Sequence, residues 1–278
     1  MLPNSTVNPN VEADARYSAP MHTPAYPNVL VTGASGGIGR ATARAFAAAG
    51  HRVAVHCSTA VDAAANTVEL LDGTGHITVA GDLSSPTGGP GIVDEVIDRF
   101  GSVDVLINNA AVGPTETNRH PITEGSFEEW ESAWREMLQV NLVGAAHTTW
   151  AFVRHLVNRA RPGSIVSVGS RGALKGEPDY PAYGASKAGL HAFSQSMAAA
   201  LAPHDISVTA VAPGFVSSER QAATLAGERG DDIRRQSPFG RVGTPEEIAS
   251  TIVFLASPEA AWCSGTVVDV NGASYLHP

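Results

Sequence analysis

The chain has 278 residues, of which 43% are hydrophobic and 16% are charged, and its formal net charge is −9 at pH 7. This composition is that of a globular protein with a large core, and the length fits one α/β domain. The negative charge argues against a nucleic-acid partner, and no apolar run is long enough to span a bilayer, so we expect no membrane partner either.

The first residues differ from the rest of the chain. Residues 1–27 are rich in Pro, Asn, Ser and Thr and show no apolar period, which predicts a flexible N-terminal tail followed by a single domain over 28–278. The start lacks the basic end and apolar centre of a signal peptide, which predicts a cytoplasmic location. Cys57 and Cys263 lack CxxC spacing, so we expect free thiols and no metal site.

Short apolar runs rich in β-branched residues alternate with helical stretches along the rest of the chain. Continuous apolar strands separated by helices indicate a parallel sheet that is covered on both faces. The sequence therefore predicts a Rossmann-type, doubly wound α/β fold with about seven strands. The strand runs are NVLVT (28–32), RVAVHC (52–57), HITVA (76–80), VDVLIN (103–108), SIVSV (164–168), ISVTAV (206–211) and TVVDV (266–270).

The stretch TGASGGIGR (32–40) lies between the first strand and the first helix. Gly33 allows a tight turn, and Gly37 and Gly39 allow the backbone to approach a pyrophosphate at the start of the helix. A glycine-rich turn can also be a simple tight connection, but its place in the first βα unit favours dinucleotide binding. The expected contact residues of this loop are Gly33, Ser35, Gly37, Ile38 and Gly39.

The end of the second strand bears on the choice of cofactor. An acid there would bind the ribose 2′-hydroxyl and repel a 2′-phosphate, but Cys57 stands at that place. Ser58 and Thr59 can donate hydrogen bonds to a 2′-phosphate, and His56 and Arg40 can add positive charge. This pattern favours NADP, with NAD as the alternative. Ser58 and Thr59 can instead simply begin the next helix.

Two further strand ends are candidates for adenosine contacts. Asp82, in GDLSS, is placed to accept a hydrogen bond from the adenine amino group, and it can equally cap a turn. NNAA (108–111) ends the fourth strand, where small residues suit a close approach by adenosine and the asparagines can also tie loops together. The expected contacts are Asp82, Leu83, Asn109 and Ala110.

YGASK (183–187) contains one of only two lysines in the chain. Tyr183 and Lys187 are four positions apart and so share a helix face. A tyrosine has an ordinary pKa near 10, and a nearby ammonium lowers it toward the range of a general base. The other interpretation is an amphipathic helix with a surface lysine.

Two polar residues upstream complete a candidate catalytic set. Ser170 follows the buried strand SIVSV, so it lies at the carboxyl end of a strand, where ligands of such sheets bind. Asn141 lies inside a helical run, where asparagine is unfavourable. It either holds a water or a backbone group in the site, or it satisfies a local kink, and Ser170 can also be an ordinary loop serine.

These motifs together resemble the short-chain dehydrogenase/reductase family, and within it the 3-oxoacyl-carrier-protein reductases. The resemblance rests on TGASGGIG, NNAA, Asn141, Ser170 and YGASK in this order, and it runs from about residue 27 to the end. It includes VAPGFVSS (211–218), where it implies that the residues contacting the nicotinamide are Pro213, Gly214, Val216 and Ser218.

The resemblance implies an NAD(P)-dependent oxidoreductase that moves a hydride between nicotinamide and a ketone or secondary alcohol. Tyr183 would be the general acid/base, and Lys187 would lower its pKa and bind the nicotinamide ribose. Ser170 would orient and polarise the carbonyl, and Asn141 would hold a water that links Lys187 to solvent. The alternative is a nucleotide-binding regulator without turnover, against which the intact catalytic set argues.

Some positions depart from the family pattern. Gly36 stands where NADP-preferring members often carry Arg or Lys. Arg161 matches one of two basic residues that dock a carrier protein, but His204 stands at the other. This departure argues against docking of a carrier protein, and the substrate that the resemblance implies is a 3-oxoacyl or another small carbonyl compound. Arg171 and Lys175 can meet an anionic substrate, but solvated loop charges are the favoured interpretation.

The helix that carries Tyr183 is small and apolar around most of its circumference. A helix that is apolar on all sides is buried on more than one side, so one face should cover the sheet and another should meet a second subunit. We expect a homotetramer, with a homodimer as the fallback.

Overall fold

The computed structural model describes residues 27–276, so the predicted tail lies, apart from Pro27, outside the described residues. Seven strands form one sheet, and every pair of neighbours is parallel. The order is β3-β2-β1-β4-β5-β6-β7. The strands are β1 (Asn28–Val31), β2 (Arg52–Cys57), β3 (Ile77–Ala80), β4 (Val105–Asn108), β5 (Gly163–Val168), β6 (Ile206–Pro213) and β7 (Val267–Val270).

Helices cover both faces of the sheet. One hydrophobic core lies under α1 and α10, and the other lies under α3, α5 and α7. The helices are α1 (Gly37–Ala48), α2 (Val61–Glu69), α3 (Gly88–Phe100), α4 (Phe127–Leu138), α5 (Ala145–Asn158), α6 (Gly172–Lys175), α7 (Pro181–Leu201), α8 (Ala222–Ala226), α9 (Gly230–Arg235) and α10 (Pro245–Leu255), with a π-helical segment, Gln139–Gly144, between α4 and α5.

The doubly wound α/β fold is confirmed, and each predicted strand run contains a strand. The strands form because Val and Ile side chains fit a pleated surface that is buried on both faces, as the fully buried residues of β1 and β4 show. The chain reverses its direction of winding between β1 and β4, which pair from Val29↔Val105 to Val31↔Ile107. Ligands of such sheets bind beyond the carboxyl ends of the strands at this switch point.

The start of α10 shows how local sequence sets a helix boundary. The Thr244 hydroxyl accepts a hydrogen bond from the Glu247 N–H at 3.2 Å, and the Glu247 carboxylate accepts one from the Thr244 N–H at 2.8 Å. Pro245 occupies the first turn, where its missing N–H costs nothing. The capping box that TPEE predicts is therefore present.

Membrane spans and metal clusters are both absent from residues 27–276. Within this range, no helix combines the length and the apolar character that a membrane crossing requires. In the same part of the chain, no three His, Cys, Asp or Glu side chains gather in a way that could hold a metal ion. Both Cys57 and Cys263 are free thiols, as their spacing predicts.

Candidate active site

A cavity of about 1030 Å³ opens at the carboxyl ends of the strands, around the switch point between β1 and β4. The residues named above as expected cofactor contacts line this cavity, from Gly33 in the glycine loop to Ser218 after β6, whereas Thr59, the second candidate donor to a 2′-phosphate, does not. Ser170, Tyr183 and Lys187 also line it, whereas Asn141 lies behind its wall. The fold thus brings the predicted cofactor residues and most of the catalytic set into one space.

The glycine loop is packed too closely for side chains. Gly33 and Gly37 have φ values of +63° and +53°, a backbone region that favours glycine. A Cβ atom on Gly39 would lie 2.4 Å from the Gly33 carbonyl oxygen and 2.5 Å from Asn109 Nδ2. The loop can therefore keep this path between β1 and α1 only with glycine at these positions.

The end of β4 holds the glycine loop in place. Thr32 Oγ1 accepts hydrogen bonds from the N–H groups of Asn109 at 2.9 Å and of Ala110 at 3.0 Å. Asn109 Nδ2 in turn donates to the carbonyl oxygens of Thr32 at 2.8 Å and Gly33 at 3.0 Å. Asn109 thus ties two loops together and also lines the cavity, so its two predicted roles are compatible.

His56 is a structural residue, and the interpretation that it adds positive charge for a 2′-phosphate is wrong. Its Nδ1 accepts from the Gly33 N–H at 3.1 Å, and its Nε2 lies 3.0 Å from the Gly81 carbonyl oxygen. These partners require the neutral ring with its proton on Nε2. Burial also lowers the pKa of His56, which favours the same neutral form.

The Asp82 side chain has hydrogen-bond partners within the protein, whereas that of Ser58 faces the cavity. The Asp82 carboxylate accepts from the Ser84 N–H at 2.8 Å and the Ser84 hydroxyl at 2.7 Å, so it caps a turn, and these bonds lower its pKa. It lines the cavity at the same time. Ser58 is exposed to the cavity, and no side-chain cap begins α2, so helix capping does not explain Ser58.

A carboxylate lies at the N-terminus of α1, where the sequence places a pyrophosphate. Glu219 Oε2 accepts from the Gly37 N–H at 3.1 Å, and Glu219 Oε1 pairs with Arg40 Nη1 at 2.7 Å. A hydrogen bond from its own backbone N–H lowers the pKa of Glu219 most, and the Gly37 N–H and the charge of Arg40 lower it further. Sequence reasoning missed this residue, because Glu219 and Gly37 are far apart in the chain and no local pattern joins them.

Lys187 is buried in the wall of the cavity, with 2% of its surface exposed. Its Nζ donates to the Val168 carbonyl oxygen at 2.8 Å and lies 6.0 Å from the centre of the Tyr183 ring. Burial lowers the pKa of Lys187 to about 7, and the charge of Arg220 adds to the effect. The surface-lysine interpretation of YGASK is therefore wrong.

Ser170 and Tyr183 lie side by side. The Ser170 hydroxyl accepts from the Gly172 N–H at 3.0 Å, which fixes it at the end of β5. Burial raises the pKa of Tyr183, and a hydrogen bond with Ser170 acts in the opposite direction. The net effect of the fold is therefore to raise the pKa of Tyr183, whereas the spacing of Tyr183 and Lys187 predicts a lowered one.

Asn141 lies in the π-helical segment between α4 and α5 and is fully buried. Its Oδ1 accepts from the Val112 N–H at 2.7 Å, and its Nδ2 donates to the Val112 carbonyl oxygen and the Ser186 hydroxyl, each at 3.0 Å. The side chain thus joins the loop after β4 to α7. Asn141 therefore holds a backbone group, that of Val112, as the first predicted role allows, and it also lies where the helix is irregular, as the second predicts.

Comparison with known proteins agrees with this geometry. Residues 33–273 match the family model described as enoyl-(acyl carrier protein) reductase. The chain belongs to the short-chain dehydrogenase/reductase family.

Curated relatives from this family are similar to nearly the whole chain. An L-rhamnose 1-dehydrogenase (NAD(P)(+)) of a Sphingomonas species is 36% identical over 252 residues, covering 90% of this chain and 96% of the relative. A 3-oxoacyl-[acyl-carrier-protein] reductase FabG of Vibrio cholerae is 35% identical over 247 residues, covering 89% and 96%. The short-chain reductase protein NovJ of Streptomyces niveus is 35% identical over 250 residues, covering 87% and 92%. Oxidoreductase relatives of this kind support an enzyme that acts on CH–OH or C=O groups.

The wall of the cavity also carries charged residues that the sequence only partly indicated. Lys175 is exposed, as a solvated loop charge should be. Arg171, in contrast, is only 6% exposed, so the interpretation of Arg171 as a solvated charge is wrong. Arg220 and Glu177, which the sequence did not single out, also line the cavity.

The acidic segment 113–130 is fastened to the start of α7 and contributes to the cavity wall through its first residues. Arg119 pairs with Glu124 at 2.6 Å and with Asp179 at 2.8 Å. His120 is buried, and its Nε2 accepts from the Ala182 N–H at 3.1 Å. The segment is therefore part of the wall next to the helix that carries Tyr183.

Proposed function

We propose that this protein is an NADP-dependent oxidoreductase that transfers a hydride between the nicotinamide and a small ketone or secondary alcohol, within one catalytic domain. The observation that carries the proposal is the meeting of Ser170, Tyr183 and Lys187 in a cavity whose other end is the glycine loop. The membership of the chain in the short-chain dehydrogenase/reductase family supports the same chemistry.

The glycine loop fits a dinucleotide, because Gly33, Gly37 and Gly39 line the cavity beside the N-terminus of α1, whose N–H groups can bind phosphate once Glu219 is displaced. When bound, the nicotinamide supplies or accepts a hydride at its C4 position. Tyr183 donates its phenolic proton to the carbonyl oxygen during reduction, and its raised pKa keeps that proton in place until it is needed. Ser170 orients the carbonyl beside Tyr183, and Lys187 holds the nicotinamide ribose.

The preference for NADP rests on the end of β2. Cys57 is buried there and brings no negative charge, and Ser58 offers a hydroxyl to the cavity. Arg40 lines the same region and can turn from Glu219 toward a phosphate. Titration with NADPH and NADH tests the preference, and equal affinities would contradict it.

The proposed substrates are small carbonyl compounds, with 3-oxoacyl groups among them. Docking of an acidic carrier protein finds little support, because Arg161 is paired with the buried Asp104 at 2.9 Å and the second basic position is His204. The relatives' names, a sugar dehydrogenase and an oxoacyl reductase, show that this family pattern accommodates different carbonyl and alcohol substrates.

Replacing Tyr183 by Phe tests the mechanism. The variant and the unchanged protein are incubated with NADPH and a panel of ketones, and we expect Tyr183→Phe to lose at least about 100-fold in kcat, since general acid catalysis contributes 10²–10⁴-fold. Tyr275→Phe is the matched control, because its phenol donates to the Leu174 carbonyl oxygen and neither of these two residues lines the cavity. Undiminished turnover by Tyr183→Phe would refute the assignment, and cofactor binding without turnover on any ketone would favour the non-catalytic regulator.

We further propose that the protein is a homotetramer, or failing that a homodimer, in the cytoplasm. Large aromatic side chains are exposed on α5 and near α10, with Trp150 63%, Phe254 55% and Trp262 98% exposed. Aromatic side chains are enriched at contacts between subunits, so these residues are candidate interface positions on both faces of the protein. Light scattering coupled to size-exclusion chromatography measures the mass directly, and a monomer at micromolar concentration would contradict the proposal.

A further inference from the structure

Arg171 follows Ser170 directly and is the only buried arginine among residues 27–276. Its backbone N–H donates to the Pro213 carbonyl oxygen at 3.0 Å, which fixes the residue between the ends of β5 and β6. Its guanidinium carbon lies 5.0 Å from the centre of the Phe215 ring. The guanidinium therefore has a defined position in the cavity wall, next to the serine that faces the carbonyl.

The guanidinium is incompletely paired within the described part of the chain. Its Nη2 donates to the neutral oxygen of Gln236, and its Nη1 is buried without a hydrogen-bond partner. No carboxylate in that part of the chain lies within ion-pair distance of it. A buried charge is expensive unless an opposite charge and hydrogen bonds compensate for it, so this arrangement lacks an anion.

Glu177 is the carboxylate whose charge acts on Arg171, and it has to be considered as the missing partner. It lies against the backbone of Gly172, where an added Cβ would come within 2.3 Å of Glu177 Oε1. Burial raises the pKa of Glu177, which weakens it as a competing anion. Glu177 thus balances part of the charge of Arg171 from a distance and leaves Nη1 free.

We propose that Arg171 is the specificity-determining residue of this site, and that it binds a carboxylate carried by the substrate. A guanidinium presents its N–H groups as a planar fork that matches a carboxylate. Since Arg171 and Ser170 line the same cavity, one small substrate can carry both the carboxylate that Arg171 binds and the carbonyl that Ser170 orients. The favoured substrates are therefore short oxo acids and the matching hydroxy acids, a conclusion that rests on the proposed oxidoreductase function.

The test compares straight-chain oxo acids with their methyl esters, in which the ketone is unchanged and the charge is absent. The panel places the ketone next to the carboxyl or one or two carbons from it. We expect the unchanged protein to show a higher kcat/KM for at least one acid than for its ester. Arg171→Met should lower kcat/KM for that acid by about 10- to 100-fold, the usual worth of a hydrogen bond to a charged group, and change the ester less than about threefold.

Three controls separate this role from a structural one. Arg171→Lys keeps the positive charge without the planar guanidinium and should retain more activity on the acid than Arg171→Met does. Arg135→Met removes an exposed arginine on α4, 75% exposed and paired with Glu131, and should change neither substrate. Thermal denaturation of each variant in the presence of NADPH, with and without the oxo acid, reports binding without turnover, and the acid should stabilise only the proteins with a cation at position 171.

The outcomes distinguish the two proposals. Equal losses on acid and ester in Arg171→Met, or an unchanged preference between them, would overturn the role of Arg171 while leaving the oxidoreductase function intact. The role of Arg171 is also overturned if the unchanged protein reduces esters better than every acid. If neither acid nor ester is reduced but the acid still stabilises the Arg171 protein, the failure lies with the proposed function instead.

Discussion

Glu219 lies where the pyrophosphate of a cofactor should bind, so removing its charge should strengthen cofactor binding. Its carboxylate accepts from the Gly37 N–H and pairs with Arg40. A dinucleotide that takes the N-terminus of α1 must first displace these contacts. We therefore expect Glu219→Gln to lower the Kd for NADPH.

The magnitude follows from the exposure of the two partners. The Glu219 side chain is 65% exposed and that of Arg40 is 30% exposed, so solvent screens their attraction. An anion at an exposed helix N-terminus contributes about 0.3–1 kcal/mol, and an exposed ion pair contributes a similar amount. Glu219→Gln removes about 0.5–1 kcal/mol of the interaction that competes with the cofactor, so NADPH should bind about two- to fivefold more tightly.

The assay is a fluorescence titration of NADPH against both proteins at low ionic strength, repeated at high salt, where the difference should narrow. Glu131→Gln is the matched control, because it removes an exposed carboxylate that is paired with Arg135 on α4, away from the cavity. Weaker binding by Glu219→Gln would refute the reasoning, since it would mean that Glu219 contacts the cofactor favourably.

Three further substitutions have a predicted direction of effect. Gly39→Ala should abolish NADPH binding and destabilise the fold by about 1–3 kcal/mol, because its Cβ would lie 2.4 Å from the Gly33 carbonyl oxygen. Gly91→Ala, with nothing within 4 Å, should stabilise α3 by about 0.5–1 kcal/mol, and thermal denaturation measures both. Burial lowers the pKa of Lys187 from 10.5 to about 7, so the unfolded chain holds that proton more tightly than the folded protein does. Burying the charged Lys187 therefore lowers the free energy of unfolding, and this destabilisation is complete below about pH 7. The stability gained by Lys187→Met should therefore shrink between pH 7 and 10, and a gain that grows with pH would contradict this.

The parts of the structure that the sequence predicted are those governed by neighbours in the chain. Runs of Val and Ile predicted the strands, because each run must be buried on both faces of a parallel sheet. The glycines of residues 32–40 predicted a close turn, and Thr244 with Glu247 predicted a helix start. In each case, the residues that cause the feature lie within a few positions of one another.

The parts that the sequence did not predict depend on residues that are distant in the chain. His56 is neutral because its ring contacts Gly33 and Gly81, and Arg171 is buried because Phe215 and Gln236 cover it. None of these contacts leaves a pattern in the chain around His56 or Arg171. A loop arginine is exposed in most proteins, so the general rule favoured the wrong environment for this one.

Tyr183 and Lys187 combine a feature that the sequence predicted with one that it could not. The four-residue spacing of Tyr183 and Lys187 predicted that they share one face of α7, and both side chains line the cavity. The spacing could not predict the electrostatics, because a pKa depends on how much water the fold removes. Burial raises the pKa of Tyr183 and lowers that of Lys187, so both groups favour their neutral forms in this cavity.

Glu219 and Arg171 line different parts of the same cavity, one at the glycine loop and the other next to Ser170, and no hydrogen bond or ion pair joins them among residues 27–276. Effects of substitutions that share no partner usually add to within about 0.3–0.5 kcal/mol. The double variant Glu219→Gln/Arg171→Met should therefore keep the tighter NADPH binding of one parent and the lost preference for oxo acids of the other. Each fold-change should stay within about a factor of two of its value in the single variant. A larger departure would show that the two charges act on one ligand group, and the division of the cavity into a cofactor end and a substrate end would then be wrong.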